Sequence, residues 1–441
     1  MTTQDKSLKQ RVFNSSLWTL GGYAWTQIAR LASNVILAKL LFPEAFGLMM
    51  LVAVFIQGIG MFSDLGTGQS IIQNKRGDEP AFLNTAWTLQ IIRGFAIWII
   101  ASLGASTYAK IFDEPSLSVL IPVAALTAVI AGFNSTGLTT ANRKLNLKKV
   151  TILNAIGQAI SISVMILWVL IHPTVWGLVA GGIVGGIARM LLSHILFGGF
   201  INRIHLEREA MGQLFRFGKW IFFSTVISFF TMQIDRLLFG YFMGTSMLGV
   251  YSIAAMFTMV SHSAIQMLSG KVLFPSYSEV IRSGDEKKLY RVLKKTRLIM
   301  ISGSWLLSFI LITLGPLLIN FLYDERYNDA IWMIQILPLG ALVGVLSLTY
   351  QNAMLAKGHS MYVTLSSSIQ LIIQITAITI GYELNGVAGI IIGYTLVGWV
   401  LYPFSLVLAR KIKLWQPEID IPVIILAIMF VTLYSNFIVL P

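Results

Sequence analysis

Val119-Leu120-Ile121-Pro122-Val123-Ala124-Ala125-Leu126 returns 216 residues later as Gln335-Ile336-Leu337-Pro338-Leu339-Gly340-Ala341-Leu342. In each copy a proline sits in register inside an apolar run of membrane-spanning length. Two further pairs keep the same order. Phe46-Gly47-Leu48-Met49 is matched by Leu248-Gly249-Val250-Tyr251 at a spacing of 202, and the glycine-led starts at Gly177 and Gly386 lie 209 apart. Each match is weak alone, because apolar segments resemble one another. Three in one order at similar spacing predict a duplication.

Composition extends the membrane reading to the whole chain. Of 441 residues 56% are hydrophobic and 12% charged, and mean hydropathy is +0.76. Soluble domains run near a quarter charged, so soluble enzymes, nucleic-acid-binding domains and disulfide-stapled modules are excluded. Apolar stretches of spanning length fall at 14–41, 44–73, 80–109, 116–141, 150–171, 175–201 and 213–241, then at 246–275, 298–322, 328–356, 361–382, 386–409 and 421–440. They are continuous and not alternating, so they read as helices and not barrel strands.

The fold expected is an all-α polytopic membrane protein. It has two six-helix lobes related by a pseudo-two-fold along the membrane normal, plus one extra C-terminal helix. An even repeat starts both lobes on the same side, which makes them parallel repeats around a central cavity. The boundaries expected are 1–201 for the N-terminal lobe, 202–212 for a cytoplasmic linker, 213–410 for the C-terminal lobe and 411–441 for the extra span.

The formal charge of +13 follows the same logic. With the N-terminus inside, 24 of the 32 basic residues fall on the cytoplasmic side, among them every Lys and Arg of 276–297. Only Lys39, Lys110 and Arg326 fall opposite. That asymmetry orients the chain with a cytoplasmic N-terminus and removes the need for a nucleic-acid partner. The polar, basic start from Met1 to Arg11 does not read as a removable signal peptide. Zero Cys excludes thiol chemistry and thiolate metal sites.

The catalytic inventory is empty. No phosphate-binding loop occurs, and Gly181-Gly182-Ile183-Val184-Gly185-Gly186 lies inside a span, where small residues serve helix packing. His172, His194, His205, His262 and His359 stand apart, so neither metal nor cofactor is expected. The informative residues are charges inside spans: Arg30, Arg93, Arg189 and Arg236, with Asp64 and Asp235. A charge at the bilayer centre costs at least about 2.5–3.5 kcal/mol, so such groups face a protein interior or a wet cavity. Other readings exist for each. Arg93 could snorkel, Asp64 could pair with Arg93 or cap a helix, and Asp235 and Arg236 could each pair with another helix. Lys271 reads as interfacial.

Leu41-Phe42-Pro43-Glu44-Ala45-Phe46-Gly47, Phe62-Ser63-Asp64-Leu65-Gly66-Thr67-Gly68-Gln69-Ser70-Ile71-Ile72-Gln73, Asn84-Thr85-Ala86-Trp87 and Ile91-Ile92-Arg93-Gly94 carry a resemblance. The chain resembles the oligosaccharide flippase family, of the colanic-acid/O-antigen exporter type, within the multidrug/oligosaccharidyl-lipid/polysaccharide superfamily. The resemblance implies movement of undecaprenyl-pyrophosphate-linked repeat units across the bacterial inner membrane by alternating access, for surface polysaccharide synthesis. Family members often have 12 or 14 spans, so a thirteenth departs from the pattern. On this reading Arg30, Arg93, Arg189 and Arg236 attract the pyrophosphate and glycan anions, and Asp64 or Asp235 couples a cation. The partners expected are the lipid-linked glycan and the bilayer, with polysaccharide polymerase and chain-length proteins as further candidates and the chain itself a monomer. Two rivals remain: a cation-coupled multidrug antiporter of the same fold, which needs an acidic cavity, and a non-transporting scaffold for synthesis enzymes.

Overall fold

The structure, a computed structural model, describes residues 8–64, 66–198, 200–268, 273–282 and 284–437. Lys6, Lys271 and the side chains of Lys9, Arg11, Arg216 and Lys219 lie outside what is described. Every described element is helical. In chain order the helices are α1 (Leu8–Leu40), α2 (Pro43–Phe62), α3 (Thr67–Gln73), α4 (Pro80–Ile111), α5 (Leu117–Ala124), α6 (Leu126–Gly132), α7 (Gly137–Arg143), α8 (Leu147–Ile171) and α9 (Trp176–Leu196). They continue as α10 (Arg208–Leu268), α11 (Phe274–Arg282), α12 (Glu286–Leu322), α13 (Asp329–Ile336), α14 (Leu339–Ala356), α15 (Ser360–Lys411) and α16 (Pro417–Tyr434). The chain forms two compact units, Met1–Val226 and Ile227–Pro441.

Nine described helices are long and apolar enough to cross a bilayer, and the pair Leu117–Gly132 and Gly137–Arg143, bent by 61°, makes a tenth. Two of the nine are long and also broken inside by non-helical backbone. At 1.5 Å per residue about 20 residues suffice, whereas Thr225–Ser263 has 39 and Ser360–Lys411 has 52. Each is a hairpin of two spans, broken where glycine takes a backbone other residues avoid. Gly244 has φ 72° and ψ 176°, and Gly386 has φ 51° and ψ −132°. Beyond the second break the halves close tightly: a Cβ on Gly381 would meet the Gly389 carbonyl at 2.1 Å.

The paired prolines both sit at helix breaks. Pro122 lies near the end of α5, and Pro338 separates α13 from α14. A proline ring removes one ladder bond and crowds the carbonyl four residues back. A tryptophan of another helix bonds to a carbonyl beside each break. The Trp98 indole donates to the Pro122 carbonyl at 3.1 Å, and Trp399 donates to the Leu339 carbonyl at 3.0 Å.

In the first unit, the segment expected as linker lies along the start of α4. Asn84 Oδ1 accepts the Arg203 amide at 2.8 Å, Thr88 Oγ1 the His205 amide at 3.0 Å and Thr85 Oγ1 the Glu207 amide at 3.0 Å. Arg76 closes the strap with a bidentate contact to Glu207 at 2.8 Å, and with Glu79 at 2.6 Å. Hydrogen bonds to Glu79 and Glu207 push its guanidinium pKa above the ordinary value.

The second unit is organised around a charge that the sequence placed in a loop. Arg297 is counted above among the cytoplasmic loop cations, yet it lies within α12 and is fully buried at 0% exposure. Helical phase is the reason: Leu289, Leu293 and Arg297 share one inward face. Arg297 Nη2 donates to Asp420 Oδ1 at 2.5 Å, Nε to Thr349 Oγ1 at 3.1 Å, and its guanidinium stacks 4.0 Å from the Tyr350 ring. Asp420 Oδ2 accepts from Tyr350 at 2.6 Å and Tyr402 at 2.8 Å. The network therefore ties α12, α14, α15 and α16 together, and α16 packs as part of this unit.

Removing one partner of a buried pair leaves the other uncompensated, at about 3–5 kcal/mol. Asp420→Ala should lower the thermal midpoint in detergent sharply, and Arg297→Met/Asp420→Leu should recover most of the loss. Equal melting of the single and double variants would contradict a charge-driven network.

Candidate functional site

Three of the expected arginines lie in the first unit, and a chain of close contacts sets their depth. Gly94, beside Arg93 on α4, abuts α6: a Cβ there would meet the Ala128 carbonyl at 2.7 Å. From α6, Ile130 lies 3.6 Å from the Cβ position of Gly186 on α9, a turn from Arg189. The Arg189 Cβ sits 3.5 Å from that of Gly157 on α8. Beside it, Gln158 donates to the Thr26 carbonyl of α1 at 3.1 Å, and Arg30 follows one turn later. Arg30, Arg93 and Arg189 thus occupy similar depths across α1, α8, α9, α6 and α4. Each is seven or more residues from either end of its helix.

Their environments differ. Arg93 is half-buried against the C-terminal end of α2, where carbonyls lack helical partners. Its Nη2 donates to the Gly60 carbonyl at 2.6 Å and its Nε to Ser63 Oγ at 3.2 Å, with Asp64 Oδ1 at 3.8 Å from Nη1. Asp64 Oδ1 also accepts the Gly66 amide at 3.0 Å, so it holds the turn after α2 as well as the cation. Arg30 and Arg189 are exposed, and among the described residues neither has a carboxylate within ion-pairing distance.

Around Arg30 the structure adds residues the charge count passed over. Tyr23, Gln27, Arg30 and Asn34 recur at helical spacing on α1. This stripe lies roughly 110° around the helix from Trp18, Gly22 and Thr26, the side packed on α8. The Tyr23 hydroxyl, Gln27 Oε1 and Asn34 Oδ1 are buried atoms without a hydrogen-bond partner. Orphaned buried polar atoms are rare, and a polar ligand beside Arg30 would satisfy them. The i, i+4, i+7, i+11 spacing was visible in the sequence. The stripe also explains why α1, although 33 residues long, is too polar to be one of the nine apolar crossing helices.

The glycine run on α9 serves packing, as its spacing predicted. A Cβ on Gly181 would fall 2.7 Å from the Ser161 carbonyl of α8, and one on Gly185 would fall 2.5 Å from the Ser161 Cβ. Close approach of α8 and α9 fixes the backbone that carries Arg189.

In the second unit Asp235 and Arg236 point apart, as adjacent helical residues must. Asp235 is buried, its Oδ2 accepts from the Tyr251 hydroxyl at 2.8 Å, and its Oδ1 has no hydrogen-bond partner. Phe239 packs edge-on to both Tyr251 and Tyr394, at 4.6 Å and 5.6 Å, which encloses the carboxyl in aromatic walls. Arg236 instead donates to Gln233 Oε1 at 2.7 Å and touches Met259 Sδ at 3.3 Å. Among the described residues no group of His and acidic side chains could hold a metal.

Comparison with known proteins gives a consistent set of likenesses. The family described as polysaccharide biosynthesis protein matches residues 36–332. The chain is 22% identical over 395 residues to the lipopolysaccharide biosynthesis protein WzxC of Escherichia coli K12, covering 86% of this chain and 78% of that one. It is 23% identical over 410 residues to a candidate O-antigen transporter of Shigella flexneri, covering 87% and 94%. Its fold is that of the lipid II flippase MurJ in an inward closed conformation, with a TM-score of 0.71, 14% identity and coverage of 97% and 94%. An inward-facing multidrug resistance MATE transporter of the MOP superfamily also scores 0.71, at 14% identity and coverage of 87% and 94%.

Because the native chain has no Cys, single cysteines report water directly. Arg30→Cys and Arg189→Cys should react with a charged methanethiosulfonate reagent at least about tenfold faster than Leu103→Cys, an apolar position 79% exposed within the long apolar helix α4. Labelling no faster than at Leu103 would mean that no water reaches these positions.

Proposed function

This chain belongs to the polysaccharide biosynthesis protein family, and on that premise we propose that it is a flippase that moves oligosaccharide repeat units on undecaprenyl pyrophosphate across the bacterial inner membrane. The observation that carries the reading is the pair Arg30 and Arg189, exposed at mid-helix and without carboxylates. Unneutralised guanidiniums are costly in hydrocarbon, so on this reading they face water and bind an anion. A pyrophosphate supplies that anion, because guanidinium donors match phosphate oxygens in bidentate geometry. Tyr23, Gln27 and Asn34 extend the site with neutral donors and acceptors, which suits sugar hydroxyls beside a charged linkage.

The MurJ likeness and the E. coli and Shigella relatives support a lipid-linked glycan as the cargo. The MATE likeness supports the fold, but unpaired arginines disfavour a cationic drug as ligand. On this reading the N-terminus is cytoplasmic, the cargo enters from that side, and alternating access carries it across. Arg93 positions the end of α2 near the other arginines, and Arg236 is assigned to the glycan anion path. Asp235, with one free carboxylate oxygen and one held by Tyr251, is the group assigned to a coupling cation, with Asp64 as its counterpart in the first unit.

Losing one charge-assisted contact costs about 1.5–3 kcal/mol, or about 10- to 150-fold. In a strain where this chain is the sole exporter of a surface glycan, Arg30→Ala and Arg189→Ala should each reduce that glycan by this order at unchanged membrane levels. Mass spectrometry should then find lipid-linked repeat units accumulating on the cytoplasmic leaflet. Normal surface glycan in both variants would rule out their assigned roles, and loss of glycan without lipid-linked intermediates would favour a scaffold. Asp235→Asn should abolish any dependence of export on the ion gradient, and an unchanged dependence would remove Asp235 from the coupling step.

A further inference from the structure

We propose that the basic end of the second unit is a binding surface for the headgroups of anionic phospholipids, formed where α12, α15 and α16 leave the hydrocarbon. Three helices change character at one level. Along α12 the exposed side chains Lys287, Lys288, Arg291, Lys294 and Lys295 give way within a turn to exposed Leu298 and Ile299, at 44% and 60%. On α15, which ends here, exposed Phe404 and Val407 are followed by exposed Arg410 and Lys411. On α16, which begins here, exposed Glu418 precedes exposed Ile421.

Asp420 binds Arg297 of α12 and Tyr402 of α15 from within α16, which gathers these three helix ends on one side of the unit. Gln416 adds a bond to the Tyr290 carbonyl at 3.0 Å. The edge of the hydrocarbon therefore crosses this unit at the buried ion pair, and the cations above it stand in the headgroup layer.

The local acids do not neutralise them. Asp285 Oδ1 caps α12 by accepting the Lys288 amide at 2.8 Å, and Glu418 accepts from Tyr290 and lies 4.0 Å from Lys294. Among the described residues Lys287, Lys288, Arg291 and Lys295 have no carboxylate within ion-pairing distance. Glu286, Lys287, Tyr290 and Arg291 line a shallow, open depression of about 490 Å³ at the outer end of α12.

Basic clusters immediately outside a membrane helix attract anionic lipid. A protein partner would have to enter the headgroup layer to reach the same atoms, whereas lipid phosphates are already there. Nothing in this surface uses Arg30 or Arg189, so a variant that does not transport can still show it.

The test uses the full chain in a neutral maltoside detergent, with bound lipids counted by native mass spectrometry. Phosphatidylglycerol should bind at least about tenfold more tightly than phosphatidylcholine of the same acyl chains, and its affinity alone should fall with added salt. Lys287→Gln/Arg291→Gln/Lys295→Gln should lower phosphatidylglycerol affinity by about ten- to hundredfold and leave phosphatidylcholine unchanged. Arg326→Gln, far from this surface, should change neither. The proposal is overturned if the parent chain shows no salt-dependent preference, or if the triple variant binds like the parent. It is also overturned if millimolar inorganic phosphate displaces the lipid, which would mark a free-anion site. Displacement by micromolar polyglutamate would overturn it in favour of an acidic protein partner. The salt dependence of the parent decides the matter even if the triple variant does not fold.

Discussion

Hydrocarbon cannot solvate an ion, and that constraint sorts the charged side chains of this protein by what surrounds each one. Arg297 is enclosed completely and survives because Asp420, Thr349, Gln416 and the Tyr350 ring use its donors and its charge. Arg93 donates to the Gly60 carbonyl and to Ser63 at the end of α2 and lies near Asp64. Arg30 and Arg189 have neither arrangement. The first two are matched by groups of the protein itself, whereas Arg30 and Arg189 have no carboxylate within ion-pairing distance among the described residues. This contrast, more than any count of arginines, is what the proposed anion site rests on.

The all-helical, apolar character of the fold was legible in the sequence because a bilayer demands long apolar runs, a property of composition. The helix breaks at Pro122 and Pro338 have a covalent reason that the in-register prolines carry. The glycines of α9 announced close packing for a steric one, and Ser161 and Met165 fill the space they leave. Arg297 was misread because a rule that counts cations between spans treats it like Lys294 and Lys295. Only its phase with Leu289 and Leu293 turns it inward, and its acidic partner is remote in sequence.

The polar stripe of α1 was missed for a related reason. Tyr23, Gln27 and Asn34 carry no charge, and attention to ionisable groups passes over them. Their significance depends on phase, which puts them on the face with Arg30, and on burial, which leaves their oxygens without partners. Asp64 was half legible: its neighbour Arg93 was anticipated, but its service to the Gly66 turn depends on a backbone shape that no side-chain pattern encodes.

The distance along the chain between Arg297 and Asp420 also bears on biogenesis. The carboxylate is synthesised 123 residues after the guanidinium it neutralises, a delay of roughly 6–25 s at ribosomal speeds of about 5–20 residues per second. For that interval α12 carries a cation with no counter-ion at the edge of the lipid. The nascent second unit must therefore stay at the insertion machinery, or keep this turn of α12 in the aqueous layer, until α16 arrives. A chain that ends before Asp420 lacks the carboxylate that neutralises Arg297.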